Sequence, residues 1–503
     1  MNESATRVVK RSQEVETVAI VTVATKMKWP KRLPVIILLF IISFLLRGGF
    51  IDPVFAQTSS NKSVIAFLHA TVIPMDRERE LPDQTVIISN GKIVSIGPAS
   101  KVKVPKDALR VDATGRYLIP ALCDMHVHVE AEGFNAMLKP EDQLAGKDIP
   151  FETFLYPYIA NGVTTIQILS ATHEHVELQQ RISRNEVLAP RLVNARLIDG
   201  PKKAWPPPLS VWVDSAAEAR SAVIDAKKGG FDKIKVYSFL SKESYDSIIS
   251  TAKEQHMDVI GHIPDALSVE YVVDAGQKMI AHTEEVAKHA HGDYSPERIN
   301  YYADRIAKGN VWMTPTLVTT HSILELFDDP DGLRGRPEAV YYRHPMQLGI
   351  WKFITDNLYR PIPPQVRKKL TDDYEKFQKP FTKVFHDHGG KLMTGTDSLF
   401  PGLVPGFAVH RELHELVDVG LTPFEALRSS TTEPFEYLGE IDRAGTIEVG
   451  KYSDLVLVNE DPLKDVSGAS KIAGVLIRGR WVGIDEITKR MKEIEISSKS
   501  LGR

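Results

Sequence analysis

The sequence predicts an α/β protein, a (β/α)8 TIM barrel with a small discontinuous β-sandwich domain formed by both ends of the chain. Three observations carry that expectation. Eight strand candidates alternate with segments of helical periodicity through the middle of the chain, which is the pattern of parallel βα units closing into a barrel. Short β-rich runs flank this region on both sides. Ligand-type residues stand at the ends of several strand candidates, where a barrel of this kind gathers its site.

Residues 1–56 read as an N-terminal tail and signal peptide. Leu33 to Leu46 (LPVIILLFIISFLL) is an unbroken apolar run preceded by Lys26, Lys28, Lys31 and Arg32, and it is short for a full membrane span, which needs ~20 apolar residues. Val54-Phe55-Ala56 supplies small residues for signal-peptidase cleavage before Gln57, and a start at Met27 would give the peptide ordinary proportions. An exported protein, periplasmic or extracellular, is therefore expected, with an uncleaved N-terminal membrane anchor as the alternative. No cysteine stands just after the run at the cleavage position, which excludes a lipoprotein.

Residues 57–117 form the first part of the β domain. Val86 to Gly97 (VIISNGKIVSIG) is a hairpin in which Asn90-Gly91 supplies the positive φ angles of a tight turn. The barrel spans 118–434, with strands near Leu118–His128, Val163–Leu169, Arg191–Leu197, Asp232–Tyr237, Met257–His262, Met279–Thr283, Val311–Leu317 and Lys391–Thr396. About 327–385, a charged, helix-favouring stretch with Pro361, Pro363 and Pro364 reads as a helical insertion before the last strand, placed to cover a site. The β domain resumes over 435–484, with Asp454 to Val458 and Val475 to Val482 as strands, and 485–503 reads as an amphipathic C-terminal helix.

With 503 residues and a formal net charge of −3, the chain can bury a large core but offers no basic surface for a phosphate backbone, so nucleic acid is excluded as a partner. Cys123 is the only cysteine. No internal disulfide can form, and the fold must hold by burial and, where present, metal. Assembly into a homo-oligomer is left open.

His126 and His128 lie two apart at the end of the first barrel strand, so period-2 alternation points both imidazoles into the mouth, where neutral nitrogens can share a divalent ion. A second such pair, His173 and His175, reads as a solvated helix start. His262 ends the fifth strand candidate, His282 ends the sixth, and Asp397 follows the eighth. Lys235 ends the fourth strand on the same face as Lys233 and Tyr237, and a lysine inside a dry barrel is costly unless it is neutralised, paired or modified.

The stretches LIPALCDMHVHV, FDKIKVY, Gly261-His262, Ala281-His282, Thr394-Gly395-Thr396-Asp397-Ser398 and GTIEVGKYSDLVLV resemble the amidohydrolase superfamily, in its imidazolonepropionase-like and Xaa-Pro-dipeptidase-like branch. The resemblance covers about Ser63 to Val482. It implies His126 and His128 as first-strand metal ligands, Lys235 as the lysine that becomes carboxylated to bridge two metals, His262 and His282 as ligands of the second metal, and Asp397 as ligand and proton shuttle. It further implies two divalent ions, zinc by preference, and a metal-bridging hydroxide that cleaves an amide or related cyclic amide or ester bond of a small molecule or short peptide. Tyr237 is expected to hold a substrate carboxylate or the developing oxyanion. Ala121 stands where such proteins carry glycine, and Ile166 to Ala171 replaces their acidic, glycine-rich second-strand end, which alters the pocket mouth. The alternative is a mononuclear deaminase or cyclic-imide hydrolase using His126, His128, His262 and Asp397, against which stands His262-Ile263-Pro264-Asp265, where such deaminases carry a glutamate. A non-catalytic interaction protein on the same scaffold would have no need of the full ligand set.

Overall fold

Alternation of apolar residues along a strand decides which neighbour each side meets, and in this chain it serves two cores at once. In the strand Leu455–Val458, Leu455 and Leu457 join Phe67, Val86 and Leu118 inside the β domain, while Val456 and Val458 join the layer of helices around the barrel. The computed structural model describes residues 64–501 apart from 145, 202–204 and 330–331. The apolar run Leu33 to Leu46 and the cleavage expected before Gln57 lie outside the described residues. Among the described residues no helix is long and apolar enough to cross a membrane.

The β domain is one eight-stranded sheet in which the strands from the two ends of the chain form two blocks that meet where Tyr117–Pro120 pairs with Leu455–Val458. Leu81–Ser89 and Lys92–Pro98 form the expected hairpin, with φ of 52° at Asn90 and 71° at Gly91. The expected strand Leu118–His128 is two strands. Tyr117–Pro120 belongs to this sheet, antiparallel to Leu455–Val458. Pro120 has no N–H to extend the ladder, and after Ala121, whose N–H donates to Asp454 O at 3.0 Å, the chain enters the barrel as Leu122–Val127.

Six further parallel strands follow around the barrel: Val163–Ile168, Arg191–Asp199, Lys233–Val236, Asp258–Gly261, Met279–Ala281 and Trp312–Thr314. The eighth wall, 391–398, is not a regular strand, yet it bonds on both sides. Met393 N–H donates to Met313 O at 2.8 Å, and across the seam Met125 N–H donates to Thr394 O at 2.8 Å and His128 N–H to Ser398 O at 3.0 Å. Cys123, Met125, Ile260, Met279, Trp312 and Met393 help to fill the interior, so the barrel is a packed core with its useful surface at the mouth.

Between the seventh and eighth walls, Pro345–Ile354, Pro364–Asp373 and Lys379–Asp387 are helical, with π-helical turns at Thr355–Tyr359 and Tyr374–Gln378. Pro345 and Pro364 each take the first helical position, where a missing N–H costs nothing. The helix Ile484–Leu501 ends the described chain and reaches Phe151–Ala160, where Arg490 meets Glu152 at 3.0 Å.

Candidate metal centre

The end of the first barrel strand and the eighth wall are stitched together, and this brings three expected residues into contact. His126 Nε2 lies 3.4 Å and His128 Nε2 3.0 Å from Asp397 Oδ1. Asp397 takes a φ of 51°, held there by its N–H donating to His126 O at 2.7 Å. The buried Asp124 anchors the same segment, accepting from the Thr396 hydroxyl at 2.6 Å and from Thr396 N–H at 3.0 Å. Gly395 permits the approach, because a Cβ there would come within 2.7 Å of His126 Cβ.

His282 and His262 arrive from the sixth and fifth strands. The ring centres of His126 and His282 are 4.4 Å apart, and those of His262 and His282 5.1 Å. One ligand atom from each of His126, His282 and Asp397 lies within 4.8 Å of the others. Lys235 is wholly buried, and Gly261 makes room for its stem: a Cβ at that position would meet Lys235 Cδ at 2.7 Å. Lys233, two residues earlier, instead pairs with Asp258 at 2.6 Å and lies over the Tyr437 ring.

The outer nitrogens of the four histidines are engaged. His128 Nδ1 meets Ser170 Oγ at 2.6 Å, and His126 Nδ1 meets Thr314 Oγ1 at 3.4 Å. The Thr316 hydroxyl donates to Pro315 O at 2.7 Å, so at 2.7 Å from His282 Nδ1 it accepts a proton from that nitrogen. His262 Nδ1 lies 3.2 Å from Ser238 Oγ, which as a hydroxyl can accept, and 3.1 Å from a carboxylate oxygen of Glu285, which itself accepts from Ile263 N–H at 3.1 Å and pairs with Lys288. A carboxylate can only accept, so His262 carries its proton on Nδ1 and turns a bare Nε2 inward. Glu285 escaped the sequence reading, and its one signal was an acidic residue three places beyond His282.

Burial pushes His126 and His282 well below the ordinary imidazole range and His262 down to about 4, so these rings are neutral, the form that binds metal. Burial also opposes the Asp397 charge, but His128, His282 and Lys235 around it bring its pKa down to about 2. Burial lowers the Lys235 amine to about 8 against the pull of Asp397 and Glu285.

These residues fit a divalent ion. His126 Nε2, His262 Nε2 and Asp397 Oδ1 are buried and make no hydrogen bond, an arrangement that costs stability unless something binds them. Nitrogen and carboxylate donors suit zinc and its neighbours.

Tyr237 packs against the His262 ring with centres 3.9 Å apart and planes tilted by 30°, and its hydroxyl accepts from Trp205 Nε1 at 3.1 Å. The other histidine pair has a different place. His175 is buried, where a solvated position was expected, and its Nδ1 accepts from Thr172 N–H at 3.0 Å to cap the helix His173–Ser183.

Residues 117–482 match the amidohydrolase family. The chain is 30% identical over 114 residues to an adenine deaminase of Ruegeria pomeroyi, covering 22% of this chain and 18% of that protein. It is 31% identical over 80 residues to an imidazolonepropionase of Rhizobium rhizogenes, covering 16% of this chain and 20% of that protein. The chain thus spans about a fifth of the length of these curated relatives. Its fold is similar to that of a Xaa-Pro dipeptidase solved with methionine in its active site, with a TM-score of 0.65 at 19% identity over 84% of this chain and 100% of that one. With the barrel, its satellite sheet and the histidine-lined mouth already described, the match over most of the chain shows that this protein belongs to the amidohydrolase family.

Proposed function

We propose that this metal-dependent hydrolase cleaves an amide C–N bond, or a related cyclic amide or ester bond, in a small molecule or short peptide, with a dipeptidase-like activity. His126, His128, His262 and His282 hold two divalent ions, zinc by preference, with Asp397 and a carboxylated Lys235 completing the set. The observation that carries this reading is the convergence of these side chains at one barrel mouth with His126 Nε2, His262 Nε2 and Asp397 Oδ1 left without hydrogen-bond partners. Bound divalent ions would supply Lewis acidity, polarising the scissile carbonyl and making water reactive at neutral pH.

The remaining roles follow from the residues. Asp397 is ionised across the neutral range, so it accepts a proton from the attacking water and returns it to the leaving nitrogen. The Tyr237 hydroxyl accepts from Trp205 and keeps its own proton to donate to a substrate oxygen. Carboxylation needs a neutral amine to add to carbon dioxide with loss of a proton, and burial of Lys235 favours that neutral form. Elemental analysis of purified protein, with turnover measured against dipeptides, N-acyl amino acids, lactones and cyclic imides, tests the reading. Two ions per chain and hydrolysis of at least one class are expected, and metal-loaded protein inert towards all four would overturn it.

The close grouping of His126, His282 and Asp397 supports a second reading, a mononuclear deaminase or cyclic-imide hydrolase. Glu285 weighs against it, because that carboxylate meets the outer nitrogen of His262 rather than facing the mouth. One ion per chain with full activity would move this reading ahead. We further propose export with a mature N-terminus near Gln57, testable by intact mass of extracytoplasmic protein. A full-length cytosolic species would rule it out.

A further inference from the structure

A second cavity lies at the end of the barrel opposite the candidate metal centre. Ala121, Thr164 and Arg191 place it at the starts of the first three barrel strands, whereas His126 and Asp397 stand at strand ends. Its other walls are the last turn of the helix His173–Ser183, the segment from Glu440 to Thr446, and two turns of the β domain, Asn90-Gly91 and the one at Arg478. About 670 Å³ is open inside it, the size of a site for a small organic molecule.

The charges on its walls do not cancel. Arg191, Arg443 and Arg478 share the lining with Glu440 and Asp454, which leaves at least one positive charge. Arg191 is closed against Glu440 by two hydrogen bonds of 2.6 and 2.8 Å. Arg478 is taken up by its surroundings, donating to Asn185 Oδ1 at 3.0 Å and to Ala189 O at 2.8 Å. Arg443 differs. Its guanidinium is held over the Tyr452 ring and donates through Nη2 to the Tyr452 hydroxyl at 2.7 Å, yet among the described residues no carboxylate pairs with it, and Nε and Nη1 donate to no protein group. Ile182, Leu192, Phe435 and Ala444 put apolar surface between these polar groups.

We propose that this cavity is a second binding site, for a small organic acid with one negative charge and an apolar body. Arg443 receives the carboxylate through its free N–H groups, a charge-assisted contact with a donor that is already oriented. One negative charge offsets the excess on the walls, and a cation would add to it. The apolar body exchanges water for Ile182, Phe435 and Ala444. The site is separate from the hydrolytic one, since no expected metal ligand lines it.

Calorimetry on the zinc-loaded full-length chain, with acetohydroxamate added in excess to occupy the metal centre, tests this with three probes that share one aromatic body: 2-naphthylacetate, 2-naphthylethanol and 2-naphthylethylamine. The acid is expected to bind once per chain and at least about threefold tighter than the alcohol, within the range of an exposed ion pair, with the amine weakest. Arg443→Gln should bring acid and alcohol to equal affinity. Gln180→Trp and Ser183→Trp, exposed positions on the helical wall, should weaken all three probes by filling the space, with circular dichroism confirming that each variant is folded. An acid that fails to bind, or binds only when acetohydroxamate is left out, would overturn the inference. So would an alcohol or amine that binds as tightly as the acid, a preference undiminished in Arg443→Gln, or affinities unchanged in both tryptophan variants.

Discussion

Replacing Glu285 by glutamine tests whether a residue outside the ligand set holds His262 ready for metal. The carboxylate accepts from His262 Nδ1, from Ile263 N–H and from Lys288 Nζ, and it is almost wholly buried. Although burial opposes its charge, His262 and Lys288 hold its pKa well below the ordinary carboxylate range. Glutamine keeps the shape but presents one amide N–H2 to a former donor, and a buried donor left without an acceptor costs about 1–3 kcal/mol. The Lys288 side chain is 41% exposed, so water takes over its solvation and little is lost there. Where the amide faces His262, the ring is driven to carry its proton on Nε2, the nitrogen needed by the metal. Loss of such an outer partner lowers metal affinity roughly 10- to 100-fold, or about 1.4–2.7 kcal/mol. Chelator competition for zinc, with thermal melting of the metal-free protein, measures both terms. Affinity within threefold of wild type would refute the reasoning, and a lowered melting point alone would make Glu285 a folding element only.

Four further outcomes are expected. Lys235→Ala should lower the metal content from two ions towards one and abolish most hydrolysis, with part restored by a small carboxylic acid in the buffer; a variant that keeps two ions and full turnover would contradict the bridge. Asp397→Asn should keep most of its metal and lose at least ~100-fold in turnover, read from elemental analysis and rate on the same sample. Gly261→Ala should destabilise strongly, because φ is +121° and the new Cβ would meet Val236 O at 2.3 Å and Lys235 Cδ at 2.7 Å; an unchanged melting point would count against that packing. Burial raises the Glu412 carboxyl to about 8 despite donors from Val318 and Leu317. An acid whose folded pKa lies above its unfolded value holds extra protons in the native state, so its contribution to stability falls as pH rises from the ordinary carboxylate range to about 8 and is level above that. Glu412→Gln should flatten that part of the melting profile between pH 5 and 9, and an unaltered slope would assign it elsewhere.

The barrel and the positions of the side chains at its mouth were legible because both depend on period and position. Strand-end residues such as His126, His262 and Lys235 can be placed by counting along a short apolar run. Counting placed Asp397 and His282 at strand ends as well, but not the local departures from regular geometry that turn them towards the others. Asp397 and His282 adopt φ of 51° and 67°, which no alternation pattern encodes, and Thr316, with φ of 53°, reaches His282 from the start of the next helix. Glu285 meets His262 only because two neighbouring strands lie side by side. The break at Pro120 was readable in principle, yet the apolar run continues through it while the chain changes sheets.

That change of sheets bears on the order in which the molecule can assemble. The strand Tyr117–Pro120 gains its antiparallel partner, Leu455–Val458, only when the far end of the chain is present. His126 and His128 follow directly on that strand, and Asp397 reaches them through the seam. Pairings so distant along the chain form late and slowly, so a chain still emerging from the ribosome lacks both the seam and the sheet that fix its first histidines. Ligand atoms scattered in this way hold metal weakly, and an ion captured early is readily lost or exchanged. The complete centre is therefore expected as a late product of folding, coupling metal selection to a finished molecule.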